Sequence, residues 1–122
     1  MDMKIVVTSQ GKDLDSEVDP RFGRSKWHII VDTESGSYEA LDNTRNLDLA
    51  RGAGIQAAEK VSRLGVEAVL TGHCGPNAFR TLSAAGLKVY IGAGGTVREA
   101  VERFKSGELV HAEGPDREGH WS

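Results

Sequence analysis

Residues 65–109 read GVEAVLTGHCGPNAFRTLSAAGLKVYIGAGGTVREAVERFKSGEL, and within that stretch short apolar runs alternate with helical patterns. EAVLT at 67–71 and LKVYI at 87–91 are the length and composition of buried strands. A helix at 76–85 follows the first, with Pro76 suited to its opening turn. The helix after the second is the best marked in the chain. Thr96 and Glu99 form a T-x-x-E capping box, Val97, Ala100, Val101 and Phe104 share one face, and Gly107 supplies the stop. Strand, helix, strand and helix in that order imply parallel strands joined by crossovers.

Upstream, a helical stripe over 50–64 (Gly54, Ala57, Val61 and Leu64, widened by Ile55 and Ala58) ends at Gly65. Before it, KIVVTS at 4–9 is a buried strand that empties into a long polar loop. KWHIIVD at 26–32 and SYEALD at 37–42 flank the turn-forming residues Thr33 to Gly36 and predict an antiparallel hairpin. The order is βββαβαβα, a mixed five-stranded sheet with helices on its faces. Residues 1–110 are expected to form one domain. The sequence from 111 to 122 has no periodicity and little to bury, and predicts a flexible tail carrying His111, His120 and Trp121.

A chain of 122 residues is long enough to bury a core without a disulfide or structural metal, so a ligand, if present, serves function. Fifteen basic against eighteen acidic residues, a net charge of -3, argue against a general electrostatic grip on nucleic acid or an anionic membrane. Cys74 is the single cysteine, the opening MDMKIVVTSQ lacks a signal-like apolar segment, and no apolar run reaches the roughly 20 residues that span a bilayer. A cytoplasmic protein with a reduced thiol is expected.

Ligands of open α/β sheets bind beyond the carboxyl ends of the parallel strands. Three such ends carry unusual loops here: 9–25, 71–77 and 92–96. Two of them run into helix N-termini, where unpaired N–H groups and glycines favour an anion. The first adds Arg21 and Arg24 with the aromatic Phe22. Cys74, placed before a helix, and its neighbour His73 are candidate ligands for a soft metal, although a lone cysteine is commonly a small buried hydrophobe and the pair is not a complete zinc site. There is no P-loop, no dinucleotide fingerprint and no nucleophile with a recognisable base. The alternative enzymatic reading, metal-assisted hydrolysis, needs Asp32, Asp42 and Asp48 to meet in space.

The segments DPRFGRS (19–25), GAGIQAAEKV (52–61) and the run 65–109 together resemble the dinitrogenase iron-molybdenum cofactor biosynthesis family, over residues 4 to about 110. The resemblance implies a ribonuclease H-like fold with strand order 3-2-1-4-5. It also implies noncovalent carriage of a molybdenum-copper sulfide cluster, an iron-molybdenum cofactor or its precursor, without catalysis. Carried over by position, the cluster pocket is Arg21, Phe22, Gly23, Arg24 and Ser25, with Gly52, Ala53 and Gly54, then Gly72, His73, Cys74, Gly75, Pro76 and Asn77, and finally Gly92, Ala93, Gly94, Gly95 and Thr96. His73 and Cys74 stand where many relatives have small or apolar residues, which makes a direct metal bond an expectation of this sequence and not of the family. If anion binding dominates, Arg24→Ala should weaken retention and Cys74→Ser should do little. Partners implied are other cofactor-assembly proteins or P-loop ATPases of the chromosome-partitioning type. An adaptor for such ATPases, with a vestigial or regulatory anion site, is the alternative function.

Overall fold

The computed structural model describes residues 3–43 and 53–112, with Ala53 described by its backbone alone. The elements are β1 (Lys4–Ser9), β2 (Trp27–Asp32), β3 (Tyr38–Asp42), α1 (Ala53–Ser62), β4 (Ala68–Leu70), α2 (Pro76–Ala84), β5 (Lys88–Ile91), α3 (Val97–Lys105) and β6 (Val110–His111). They form one sheet in the order β3-β2-β1-β4-β5-β6. The pairings β1 to β4 and β4 to β5 are parallel, and β1 to β2, β2 to β3 and β5 to β6 antiparallel. The predicted mixed sheet and its 3-2-1-4-5 order are therefore present, with one strand added at the β5 edge.

That sixth strand falls where the sequence predicts the start of the tail. Val110 and His111 pair with Ile91 and Tyr90, the Ala112 N–H donates to the Val89 carbonyl, and Ala112 is buried. A two-residue strand is too short to produce a period in the sequence. The rest of the predicted tail, like residues 50–52 of the predicted helix, lies outside the described residues.

Burial of the central strands on both faces explains their unbroken apolar runs. Successive side chains of β1 and β4 point to opposite sides. Val6 and Val69 pack under α1 and α2 with Ala57, Val61, Ala78 and Leu82, while Ile5, Val7, Ala68 and Leu70 pack under α3 with Val97, Ala100 and Val101. The α3 capping box forms as read: Thr96 Oγ1 accepts from the Glu99 N–H, and Glu99 Oε1 accepts from the Thr96 N–H. Among the described residues no helix is long and apolar enough to cross a membrane.

Candidate functional site

The loop after β1 is fastened along its length. Thr8 Oγ1 donates to the Asp19 carbonyl at 2.7 Å and lies 2.9 Å from Thr71 Oγ1, so a pair of buried hydroxyls ties the ends of β1 and β4 to the loop. The His73 N–H donates to the Pro20 carbonyl at 2.7 Å, and the Phe22 N–H to the His73 carbonyl at 3.2 Å, a short parallel bridge between loop 19–25 and loop 71–77. Asp19 is buried, and its Oδ1 accepts from the Arg21 N–H at 2.9 Å. Together these bonds hold Arg21, Phe22 and Gly23 as one wall.

The opposite wall comes from two helix N-termini. Gly54 and Ile55 lie in the first turn of α1, and Gly75, Pro76, Asn77 and Ala78 open α2. The helices approach closely here, since a β-carbon on Gly54 would sit 3.5 Å from that of Ala78. Among the described residues, these six with Arg21, Phe22, Gly23 and His73 line an open cleft of about 560 Å³. At the head of α2 the N–H groups of Asn77 and Ala78 have no intrahelical acceptor and no side-chain cap, and Pro76 contributes none to satisfy. They and the helix dipole make this end of the cleft electropositive. Phe22, Ile55 and Ala78 give it apolar sides. A pocket of this size lies within the ordinary range for small ligands, ~300–1,000 Å³.

Several predicted site residues lie elsewhere. Cys74 is only 1% exposed and packs in the apolar core beneath α1 and α2, because the alternation after β4 turns His73 outward and Cys74 inward. Ser25 is fully buried, and Arg24 lines a neighbouring cleft. Gly72 sits behind the wall, with its Cα face against the Pro20 backbone.

The segment Gly92, Ala93, Gly94, Gly95 and Thr96 is not among the residues lining the cleft. Its helix N-terminus is already satisfied: the Val97 N–H donates to the Ser16 carbonyl, Arg98 N–H to Leu14, Glu99 N–H to Thr96 Oγ1 and Ala100 N–H to the Thr96 carbonyl. The Gly94 carbonyl accepts from the Arg103 guanidinium. Positive φ at Gly92 and Gly95 (76° and 75°) serves these turns. Gly52 lies outside the described residues. Ile55 and Ala78 are cleft residues not predicted; each sits in the first turn of a helix whose N-terminus faces the site, which is the signal that finds them.

Behind Phe22 lies a buried polar group. His28 is fully buried on the α1 and α2 face and stacks on Phe22 with ring centroids 5.9 Å apart and planes inclined by 14°. Neither ring nitrogen makes a hydrogen bond within ordinary geometric limits. Burial first, then the positive charge of Lys60, lowers its pKa from 6.5 to about 4, against the smaller opposing effect of a hydrogen bond with the Phe22 backbone. His28 is thus a neutral packing residue. Asp32 and Asp42 cannot act as a pair. Asp32 stands opposite Lys4 and Asp42 opposite Trp27, at opposite ends of the hairpin, roughly 16 Å apart along the strands. Asp32 Oδ1 accepts from the Glu34 and Ser35 N–H groups of the turn. Asp48 lies outside the described residues. No three His, Cys, Asp or Glu side chains stand together as a metal chelate among the described residues.

The chain is similar to the orange protein of Desulfovibrio gigas, whose apo form superposes with a TM-score of 0.91 at 43% identity, covering 94% of this chain and 97% of that one. A structure from Thermotoga, provisionally named a NifB protein, matches with a TM-score of 0.82 at 43% identity over 96% of this chain and 99% of the other. An uncharacterized protein of Methanocaldococcus jannaschii is 28% identical over 97 residues, 77% of this chain and 81% of that protein. The model of the family described as dinitrogenase iron-molybdenum cofactor matches residues 3–107, and the chain belongs to that family.

Proposed function

We propose that the cleft holds, noncovalently, an anionic molybdenum-containing metal-sulfur cluster of the molybdenum-copper sulfide or iron-molybdenum cofactor type, and that the chain carries this cargo without converting it. The observation that carries the reading is the convergence of two helix N-termini and Arg21 on an open pocket with apolar sides. The outer atoms of such a cluster are sulfides, large, polarizable and negative. Backbone N–H groups and a guanidinium meet the charge, and Phe22 and Ile55 meet the weakly hydrated surface. His73 stands at the rim, the one predicted metal ligand within reach of the cargo. Hydrolysis lacks support because Asp32 and Asp42 stand apart.

The test is reconstitution: protein incubated with tetrathiomolybdate and copper(II), desalted, then assayed by absorption spectroscopy and elemental analysis. A coloured protein holding molybdenum and copper in fixed ratio is expected; a colourless, metal-free eluate sinks the reading. Arg21, and not Arg24, lines this cleft, so on this reading Arg21 is the arginine to substitute. Arg21→Ala removes charge-assisted hydrogen bonding worth about 1.5–3 kcal/mol, so retention should fall by about ten-fold or more. Cys74→Ala should retain the cluster as well as the parent does. The opposite ranking makes the thiolate the anchor.

A further inference from the structure

A second cleft, of about 510 Å³, opens on the other side of loop 19–25 and is lined by Gln10, Asp19, Pro20, Arg21, Arg24 and Lys26. Three of the six are cations, in a chain whose net charge is -3. The one carboxylate, Asp19, is buried and faces Arg21, accepting its backbone N–H and lying 3.6 Å from its Nε. Arg21 belongs to both clefts, so the basic surface meets the rim of the proposed cluster pocket.

We propose that this surface docks an acidic segment of the protein that delivers or receives the cluster. One observation favours a carboxylate-rich chain over a small anion. Arg21, to 66%, and Lys26 are exposed and Arg24 is half-buried, and side chains so placed attract a single small anion weakly in water but add up against several carboxylates presented together. The position of the surface gains its meaning from the carrier reading, since a cluster handed over without release into water needs its partner at the pocket rim.

The experiment uses the full chain and fluorescein-labelled octaglutamate, followed by anisotropy at low and high salt, with the paired variant Gln10→Glu and Lys26→Glu. Neither residue touches the cluster cleft. Saturable binding at low salt, weakened about ten-fold or more by the paired substitution, with urea midpoint and cluster retention unchanged, is the expected result. Absence of saturable binding, or binding that the substitutions leave intact, overturns the proposal. So does displacement of the peptide by molybdate or by a DNA duplex at lower concentration than by unlabelled octaglutamate. If reconstitution fails but peptide binding shows the expected sensitivity, the docking surface stands and the carrier reading falls.

Discussion

Gly72→Ala should destabilise the protein by about 3 kcal/mol and abolish cluster retention, combining an overpacking cost of ~1–3 kcal/mol with the loss of at least one backbone hydrogen bond worth about 1 kcal/mol. A β-carbon at this position would lie 2.7 Å from Pro20 Cα and 2.8 Å from the Pro20 carbonyl oxygen. Ordinary carbon contacts begin near 3.5 Å. The obstacle is main chain, so rotamer changes give no relief. Nor can the loop simply retreat: the Pro20 carbonyl accepts from the His73 N–H at 2.7 Å, and the neighbouring Asp19 N–H donates to the Thr8 carbonyl at 2.9 Å. Pushing Pro20 away breaks the bridge that carries Arg21, Phe22 and Gly23, the wall of the cleft. Gly75→Ala is the control. Nothing lies within 4 Å of its added carbon, and its φ of -71° suits any residue, so its cost should stay below about 1 kcal/mol, the ordinary loss from a less favoured helix cap. Urea unfolding of both variants, read beside desalting after reconstitution, makes the comparison. Equal stability of the two would remove Gly72 from the scaffold of the site.

The contrast between these glycines shows where local sequence runs out. Spacing locates the strands and helices because each rests on a periodic apolar face, and it locates the α3 cap because Thr96 and Glu99 act within one turn. It also marks the loops 9–25 and 71–77, residues of which line the cleft. It does not separate them from 92–96, which has the same glycine-rich approach to a helix. The difference lies in Leu14 and Ser16, distant in sequence, whose carbonyls occupy the N–H groups of Val97 and Arg98. A helix terminus is an anion site only when the fold leaves its donors unclaimed, and that is a long-range fact. Cys74 follows the same logic. Its place before α2 suggests a reactive thiolate, whereas the register of the chain leaving β4 sends it into the core beside Val6 and Phe22. Arg21 and Arg24 look equivalent in DPRFGRS, yet across the turn between them Arg21 lines both clefts while Arg24 lines only the basic one.

His28 gives the second large effect, an acid lability that one substitution should remove. Its folded pKa is lowered to about 4 from the 6.5 of an unfolded chain. Above 6.5 the ring is neutral in both states and costs nothing. As pH falls from 6.5 toward 4, the unfolded chain binds a proton that the folded chain excludes, so stability is lost progressively and the loss levels off below 4. The full difference corresponds to about 3 kcal/mol. Other groups contribute to acid unfolding as well, so the informative quantity is the parent curve minus that of His28→Leu. No hydrogen bond of ordinary geometry is lost with the ring, only the lesser one to the Phe22 backbone, so stability near pH 7 should be close to the parent's or higher. Urea unfolding of both proteins across this pH range should show the curves together at neutrality and separating below pH 6.5, the parent becoming the less stable. Since His28 stacks on Phe22, the same protonation should loosen the cleft wall and speed cluster loss in the parent before global unfolding. Parallel curves for the two proteins would mean that the imidazole is hydrated or finds a partner on protonation, and that Phe22 is held by the core alone.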